Sequence, residues 1–191
     1  KCDGFSVGVL WRHCYGFRVQ SGFRCQTTGA TASEAMSVVG GSVTEGRWGV
    51  VYAAGASKPQ GPVSGLQTDV TDAGVWAEYA DGLQVTNCRM LKRGAPVSVE
   101  YADVRLRLAS HHAVVANNVC ATGANPSGAA RGIVIESGEK AVIEGNTFVG
   151  RDYEADLRAS AKYCQIRNNS ADPGVFTVLD SGVGNQFSGN V

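Results

Sequence analysis

Four segments in the C-terminal half of the chain share one pattern and align without gaps. Each contains a large apolar residue, a polar or small residue, an Asn or Gly, and a closing Asn. The closing residues are Asn118, Asn146, Asn169 and Asn190, at intervals of 28, 23 and 21 residues. A chain that returns to one pattern in this way stacks one small structural unit on the next. This repetition limits the protein to solenoid folds more tightly than any other feature of the sequence.

Each position of the pattern has a physical reason. The alternation that leads up to the large apolar residue is typical of a half-buried β-strand, whose side chains point to opposite faces in turn. Asn or Gly after it suits a left-handed backbone at a sharp corner. The closing Asn predicts a ladder in which side-chain amides bond the backbone and one another from turn to turn. Residues 83–88 fit the same pattern, with Cys88 in place of the closing Asn.

A second strand precedes these segments. The sequence Glu-Tyr-Ala-Asp occurs at 78–81 and again at 100–103, which predicts that the two stretches stack with a shift of 22 residues and that Val97 points inward. Two or three short strands in each period of about 23 residues predict an all-β, single-stranded parallel β-helix of about eight coils. One such domain spans residues 1–191, with clear repeats over 74–191 and a less regular pattern over 1–73.

Composition narrows the function classes. The chain has 17 acidic and 17 basic residues, whereas a general nucleic-acid or membrane-surface binder needs a basic excess. The longest apolar runs are far too short to cross a membrane. The six Cys residues are irregularly spaced, which predicts reduced thiols, with Cys120 and Cys164 in the core. No cofactor or metal motif is present in the sequence, and a start at Lys1 without Met predicts a fragment of a longer protein.

These features resemble the right-handed parallel β-helix of the pectate-lyase-like superfamily. Within it, Gly-Phe-x-Val, the Asn-Asn turns and the Ser- and Gly-rich stretch at 181–190 resemble bacteriophage tailspikes. The resemblance implies a right-handed helix and a homotrimer in the virion tail, assembled in the host cytoplasm. It also implies binding, and often cleavage, of bacterial surface polysaccharide such as capsule or O-antigen. No tailspike catalytic motif matches residue by residue, so the resemblance assigns no catalytic residue.

Strand alternation and the 22-residue shift predict a charged outer surface. Glu78 and Glu100 would be neighbours about 4.8 Å apart, with Asp81 and Asp103 nearby. Two carboxyl groups at such separations perform glycoside hydrolysis, and an outward Trp76 offers a flat surface for a sugar ring. The catalytic candidates are Glu78, Glu100, Asp81 and Asp103, and the substrate-binding candidates are Trp76, Trp48 and Tyr52.

Two other interpretations of the acidic residues stay open. Solenoids repeat surface residues when coils duplicate, so the four acids can be surface residues paired with basic side chains. The basic residues in question are Arg105, Arg107 and Lys92. Alternatively, Asp69 and Asp72 form a separate site with Glu45, which lies one coil earlier.

Three functions remain open for such a chain. The first, favoured by the paired carboxyl groups, is a depolymerase of bacterial polysaccharide that acts by hydrolysis or elimination. The second is a module that binds the polysaccharide without cleaving it, and the third is a structural shaft of a phage tail or adhesin. The expected partners are bacterial polysaccharide and two further copies of the chain, without nucleic acid or membrane insertion.

Overall fold

The computed structural model describes residues 2–3, 10–26, 36–53, 58–97, 100–108, 110–123, 127–172 and 174–191. All regular secondary structure within these ranges is β-strand, as the sequence predicts. In chain order the strands are β1 (Cys2–Asp3), β2 (Leu10–Arg12), β3 (Tyr15–Phe17), β4 (Ser21–Gln26), β5 (Ser37–Val39), β6 (Ser42–Tyr52), β7 (Lys58–Pro59), β8 (Val63–Ser64), β9 (Gln67–Glu78), β10 (Ala80–Asp81), β11 (Gln84–Thr86), β12 (Arg89–Lys92), β13 (Tyr101–Arg107), β14 (Val114–Ala116), β15 (Val119–Thr122), β16 (Ala130–Glu139), β17 (Val142–Glu144), β18 (Thr147–Val149), β19 (Tyr153–Lys162), β20 (Gln165–Arg167), β21 (Ser170–Asp172), β22 (Val178–Asp180) and β23 (Gln186–Ser188).

The strands stack into parallel sheets that run along a solenoid. In the part of the chain that the structure describes, eight strands form the short sheet, which contains β2, β5, β8, β11, β14, β17, β20 and β23. Thirteen others form the broad sheet, in which the long strands β6 and β9 bend from one arm to the other. Its first arm contains β3, β12, β15, β18 and β21 with the beginnings of β6 and β9, and its second arm contains β1, β4, β13, β16, β19 and β22 with their ends.

The fold class is confirmed as an all-β parallel solenoid. Each turn passes through the second arm, the short sheet and the first arm before the next turn begins. Seven steps separate the eight stacked strands of the short sheet within the described ranges, so complete turns are slightly fewer than the eight coils predicted. The reason is that several turns are longer than the predicted period: the turn from Cys88 to Asn118 takes 30 residues, and those from Trp11 to Val38 and from Val115 to Ile143 are also longer.

The asparagine ladder is confirmed at the corner between the short sheet and the first arm. The side-chain Nδ2 of Asn118 donates to Oδ1 of Asn146 at 2.9 Å, and Nδ2 of Asn146 donates to Oδ1 of Asn169 at 2.9 Å. The backbone N–H of each also donates to the amide oxygen of the next turn at 3.0 Å. The preceding residue is left-handed, with φ of 57° at Asn117 and 64° at Gly145. The ladder therefore satisfies buried polar groups at the tightest bend of every C-terminal turn.

The core is the column of apolar side chains inside the turns. In the short sheet, Val85, Val115, Ile143 and Ile166 stack in register and are completely buried. Burying one such side chain stabilises the fold by roughly 1.5–3 kcal/mol. Because every turn contributes the same inward position, the outward positions of neighbouring strands also stack in columns, and these columns build the candidate site.

Candidate functional site

The outward side of the second arm carries the aromatic and charged residues of interest. In β13, Val104 and Leu106 are completely buried, so Arg105 and Arg107 point outward by strand alternation. The register pairs Arg105 with Trp76 and Arg107 with Glu78 on β9. We name this surface the outer face; it comprises the outward side chains of 76–78, 105–107, 131–136 and 153–158, together with Trp48 and Glu100.

The predicted stacking of Glu78 on Glu100 is wrong. Glu78 lies opposite Arg107, at a shift of 29 residues rather than 22. Residues 93–97 form an excursion after β12 that lies outside the sheets, and Val97 within it is 71% exposed instead of pointing inward. The repeated Glu-Tyr-Ala-Asp sequence therefore does not mark equivalent positions in two turns, and the two glutamates do not form a stacked pair.

Asp103 and Asp81 both lie away from the outer face. The Asp103 carboxylate is completely buried and accepts two hydrogen bonds of 2.7 Å from Arg151, whose side chain is also buried. The Tyr101 hydroxyl donates to the same carboxylate at 2.8 Å. Burial raises the pKa of Asp103, although Arg151 opposes this effect. Asp81 ends the strand β10 and is partly exposed, with its carboxylate 3.0 Å from Nδ1 of His112. The expectation that Asp103 faces a substrate groove is wrong, because its side chain is enclosed by the solenoid.

The carboxylates of the outer face are held by four arginines, which we name the arginine cluster: Arg105, Arg107, Arg131 and Arg158. Glu78 accepts a hydrogen bond of 3.0 Å from Arg107. Glu136 accepts from Arg107 at 2.6 Å and from Arg105 at 2.9 Å. Glu100 accepts from Arg105 at 2.8 Å, from Arg131 at 3.2 Å and also from Arg158. These contacts favour the interpretation of Glu78 and Glu100 as ion-paired residues.

Ion pairing determines the protonation of Glu100. Burial alone would raise the pKa of Glu100, but Arg105, Arg131 and Arg158 bring it below its ordinary value of 4.5. The general acid of a glycosidase needs the opposite shift, because it must keep its proton near neutral pH. Glu100 is therefore ionised at neutral pH and balances positive charge, which does not suit it to protonate a leaving group.

Aromatic rings lie among these arginines. Trp48 and Trp76 meet edge to face, with ring centroids 6.3 Å apart. The guanidinium carbon of Arg107 is 4.8 Å from the Trp76 ring centroid, and that of Arg131 is 4.3 Å from the Tyr153 centroid. Both tryptophans are half-buried, and the indole nitrogen of Trp48 is itself buried. The cation–π contacts hold these rings in fixed orientations.

Tyr52 and Lys92 are in the core instead of the positions expected for them. Tyr52 is 2% exposed and its hydroxyl donates to the backbone carbonyl of Met36 at 3.1 Å. Its predicted role as a surface for sugars is wrong, because β6 directs the ring inward. Lys92 is 1% exposed and its ammonium group donates to the Gly94 carbonyl at 3.2 Å. It therefore satisfies backbone oxygens and does not pair with the four predicted acids.

The alternative acidic set also consists of ion pairs. Asp72 is 1% exposed and pairs with Arg47. Glu45 and Asp69 both bind Arg93, at 2.9 and 2.7 Å. Within the described ranges, no group of three or more His, Cys, Asp or Glu side chains is arranged to hold a metal ion. This set therefore links neighbouring turns of the solenoid and forms no open site.

The core positions predicted for two thiols are confirmed. Cys120 and Cys164 are completely buried. Burial raises the pKa of both thiols above the ordinary value of 9.0. A buried, protonated thiol is a poor nucleophile, so neither residue is a catalytic candidate.

Three residues of the outer face are not predicted as site residues from the sequence: Arg131, Tyr153 and Arg158. They lie on β16 and β19, which the incorrect 22-residue register does not place beside Trp76. One signal in the sequence could have found them. The interval from Cys88 to Asn118 in the ladder is 30 residues, and a similar shift for the neighbouring strand gives nearly the observed value of 29.

A comparison of the chain with protein families, curated proteins and solved structures finds no match. Where the structure describes the chain, none of it forms a helix long and apolar enough to cross a bilayer. The candidate site therefore depends on the geometry of the outer face.

Proposed function

We propose that this β-solenoid recognises bacterial surface polysaccharide through the outer face, without cleaving it. One observation carries the proposal: the half-buried Trp76 ring packs edge to face against Trp48, and the guanidinium of Arg107 lies over it, so aromatic and cationic groups form one surface. An aromatic ring that is already fixed loses little conformational freedom when a sugar ring stacks on it. Neighbouring arginines supply N–H donors for sugar oxygens. A flat sheet that combines these groups suits an extended glycan.

The chemistry of the carboxylates supports recognition over hydrolysis. Glu78 and Glu136 each accept hydrogen bonds from the arginine cluster, and Glu100 has a lowered pKa caused by the same cluster. Hydrolysis of a glycosidic bond uses one carboxyl group that stays protonated and another that is free to act as base or nucleophile. Carboxylates shared between arginines serve instead to orient those arginines.

The resemblance to bacteriophage tailspikes supports the wider biological setting of the proposal. In that setting the chain is part of a homotrimer in the tail of a virion, and it meets its polysaccharide at the bacterial surface. Sedimentation equilibrium tests the assembly, since a trimer sediments with three times the mass of one chain. A monomer at all accessible concentrations would contradict the trimer. It would not affect the proposed binding of polysaccharide, which is tested separately.

Binding is tested by affinity electrophoresis through gels that contain purified capsule or O-antigen. We expect at least one polysaccharide to retard the wild-type protein, and Trp76→Ala to weaken that binding about tenfold because the stacking surface is lost. Tyr15→Ala is the matched control, since Tyr15 is 80% exposed and lies on β3, away from the outer face. Equal losses in both variants would contradict the proposed site.

Cleavage is measured on the same polysaccharides. We expect no new reducing ends and no new absorbance at about 235 nm, which is typical of the unsaturated sugars that elimination produces. Shortened polysaccharide chains would show that the protein is a depolymerase and would overturn the non-catalytic part of the proposal.

A further inference from the structure

Glu100 occupies a pocket of positive charge made by three members of the arginine cluster. Arg105 and Arg131 donate to it at 2.8 and 3.2 Å, and Arg158 also contacts it. The Glu100 side chain is only 13% exposed, although the residue lies just before β13 and outside the sheets. A single carboxylate is thus bound by groups from three consecutive turns.

The arginines retain hydrogen-bonding capacity that this carboxylate does not use. Nε of Arg105 and Nη1 of Arg131 are buried, and neither has a hydrogen-bond partner among the residues that the structure describes. The Arg105 side chain is only 10% exposed. Unpaired buried donors are costly, and they commonly mark a place where a ligand or water completes the bonding. Both atoms are shielded from solvent while Glu100 is in place, so an incoming acceptor would reach them only when the surrounding side chains move.

The position of the site links it to the aromatic surface. Arg105 is the register partner of Trp76, and its guanidinium carbon is 5.5 Å from the ring centroid. Arg131 lies over Tyr153 on the next strand. A sugar ring packed against either aromatic side chain would therefore place its substituents within reach of the same arginines.

We propose that the arginines around Glu100 form a subsite for the carboxylate of an acidic sugar, and that Glu100 is an internal occupant which the sugar carboxylate displaces. This inference rests on the proposed function and names the class of polysaccharide, one that contains uronic acid residues. Guanidinium groups match carboxylates in shape and charge, and the displacement requires the Glu100 side chain to leave its contacts with Arg105, Arg131 and Arg158. The lowered pKa of Glu100 shows that the cluster stabilises a carboxylate anion at this position.

The test uses polygalacturonate and hyaluronate as acidic probes and dextran as a neutral probe. Glu100→Gln removes the competing charge, so we expect the variant to bind the acidic polymers roughly three- to tenfold more tightly than the wild type. Glu144→Gln is the matched control, because Glu144 is ion-paired with Arg167 at 2.7 Å on the outward side of the short sheet. We expect that variant to match the wild type, and dextran binding to be unchanged by either substitution.

Two results would overturn the inference. The first is acidic-polymer binding by Glu100→Gln that is no tighter than that of the wild type, and the second is an equal gain with Glu144→Gln. If Glu100→Gln fails to fold, titration of the wild type with glucuronate keeps the inference testable. The Nε–H resonances of Arg105 and Arg131 should then shift in a saturable way, and the absence of any shift would refute the subsite.

The same experiments separate this inference from the proposed function. If the protein binds neutral polymers but does not bind acidic ones, the result would agree with the proposed function and refute the carboxylate subsite. Saturable shifts with glucuronate, in a protein that binds no polysaccharide, would support the subsite and refute the proposed function.

Discussion

Replacing Asn146 with Ala tests the ladder on which the stacking of the turns depends. The Asn146 side chain donates to Asn169 and to the Val115 carbonyl, both at 2.9 Å, and its amide oxygen accepts from the N–H and Nδ2 of Asn118. Asn146 is 1% exposed, so water cannot replace these partners. Each buried group left without a partner costs about 1–3 kcal/mol. Because such costs are not additive, we expect Asn146→Ala to lower the free energy of unfolding by about 3–5 kcal/mol in total.

Asn190→Ala is the matched control for this prediction. Asn190 makes the same contacts with Asn169, at 3.0 Å, but it lies in the last turn and is partly exposed. Water can take over part of its bonding, so we expect a loss of about 1 kcal/mol or less. Urea midpoints for both variants give the comparison, and thermal melting should show Asn146→Ala lower by roughly 6–20 °C. Equal losses in the two variants would refute the reasoning.

Three further predictions concern single side chains. Cys88→Asn should extend the ladder toward the N terminus, because Cys88 already donates its N–H to Asn118 at 2.9 Å. We expect the free energy of unfolding to rise by about 1 kcal/mol, measured as a higher urea midpoint. A lower midpoint would contradict this prediction. Asp103→Asn should lower the free energy of unfolding by about 3–5 kcal/mol, because it leaves the buried charge of Arg151 uncompensated. A decrease below about 1 kcal/mol in the same urea assay would be inconsistent with that burial. The lowered pKa of Glu100 means that its stabilisation is present above pH 4.5 and is lost as the pH falls through the lower folded value. Glu100→Gln should therefore lose less stability than the wild type as the pH falls below 4.5, and parallel pH profiles would argue against the arginine contacts.

The ladder could be predicted from the sequence because its chemistry restricts residue type. A left-handed corner such as Asn117 or Gly145 accepts few residues without strain, and a buried amide such as Asn146 must find a partner at a fixed distance. These requirements repeat in each C-terminal turn, so the same residue types recur in the sequence even where the turns differ in length. The inward column of Val85, Val115 and Ile143 follows the same logic.

The register of the second arm could not be predicted by the same means. Outward residues such as Glu78 and Glu100 satisfy no repeated constraint, so a similarity between them carries no information about stacking. The excursion after β12 shifts the following strand, and although Gly94 and Pro96 beside Val97 indicate a break in a strand, they do not give the size of the shift. Burial of the Asp103–Arg151 pair could not be predicted either. Charged residues are rarely buried, and Arg151 lies 48 residues from Asp103 in the sequence.

The buried pair and the outer face are physically connected through β13. Asp103 is held inside the solenoid by Arg151, which also donates to the Ala121 carbonyl at 2.9 Å. Asp103 lies between Glu100 and Arg105 in the chain, so fixing its position from the inside also fixes where those two residues emerge on the outside. A buried ion pair contributes little net stability relative to apolar packing. Its value here is positional, because the arginines that orient Trp76 and surround Glu100 need a strand whose register cannot slip.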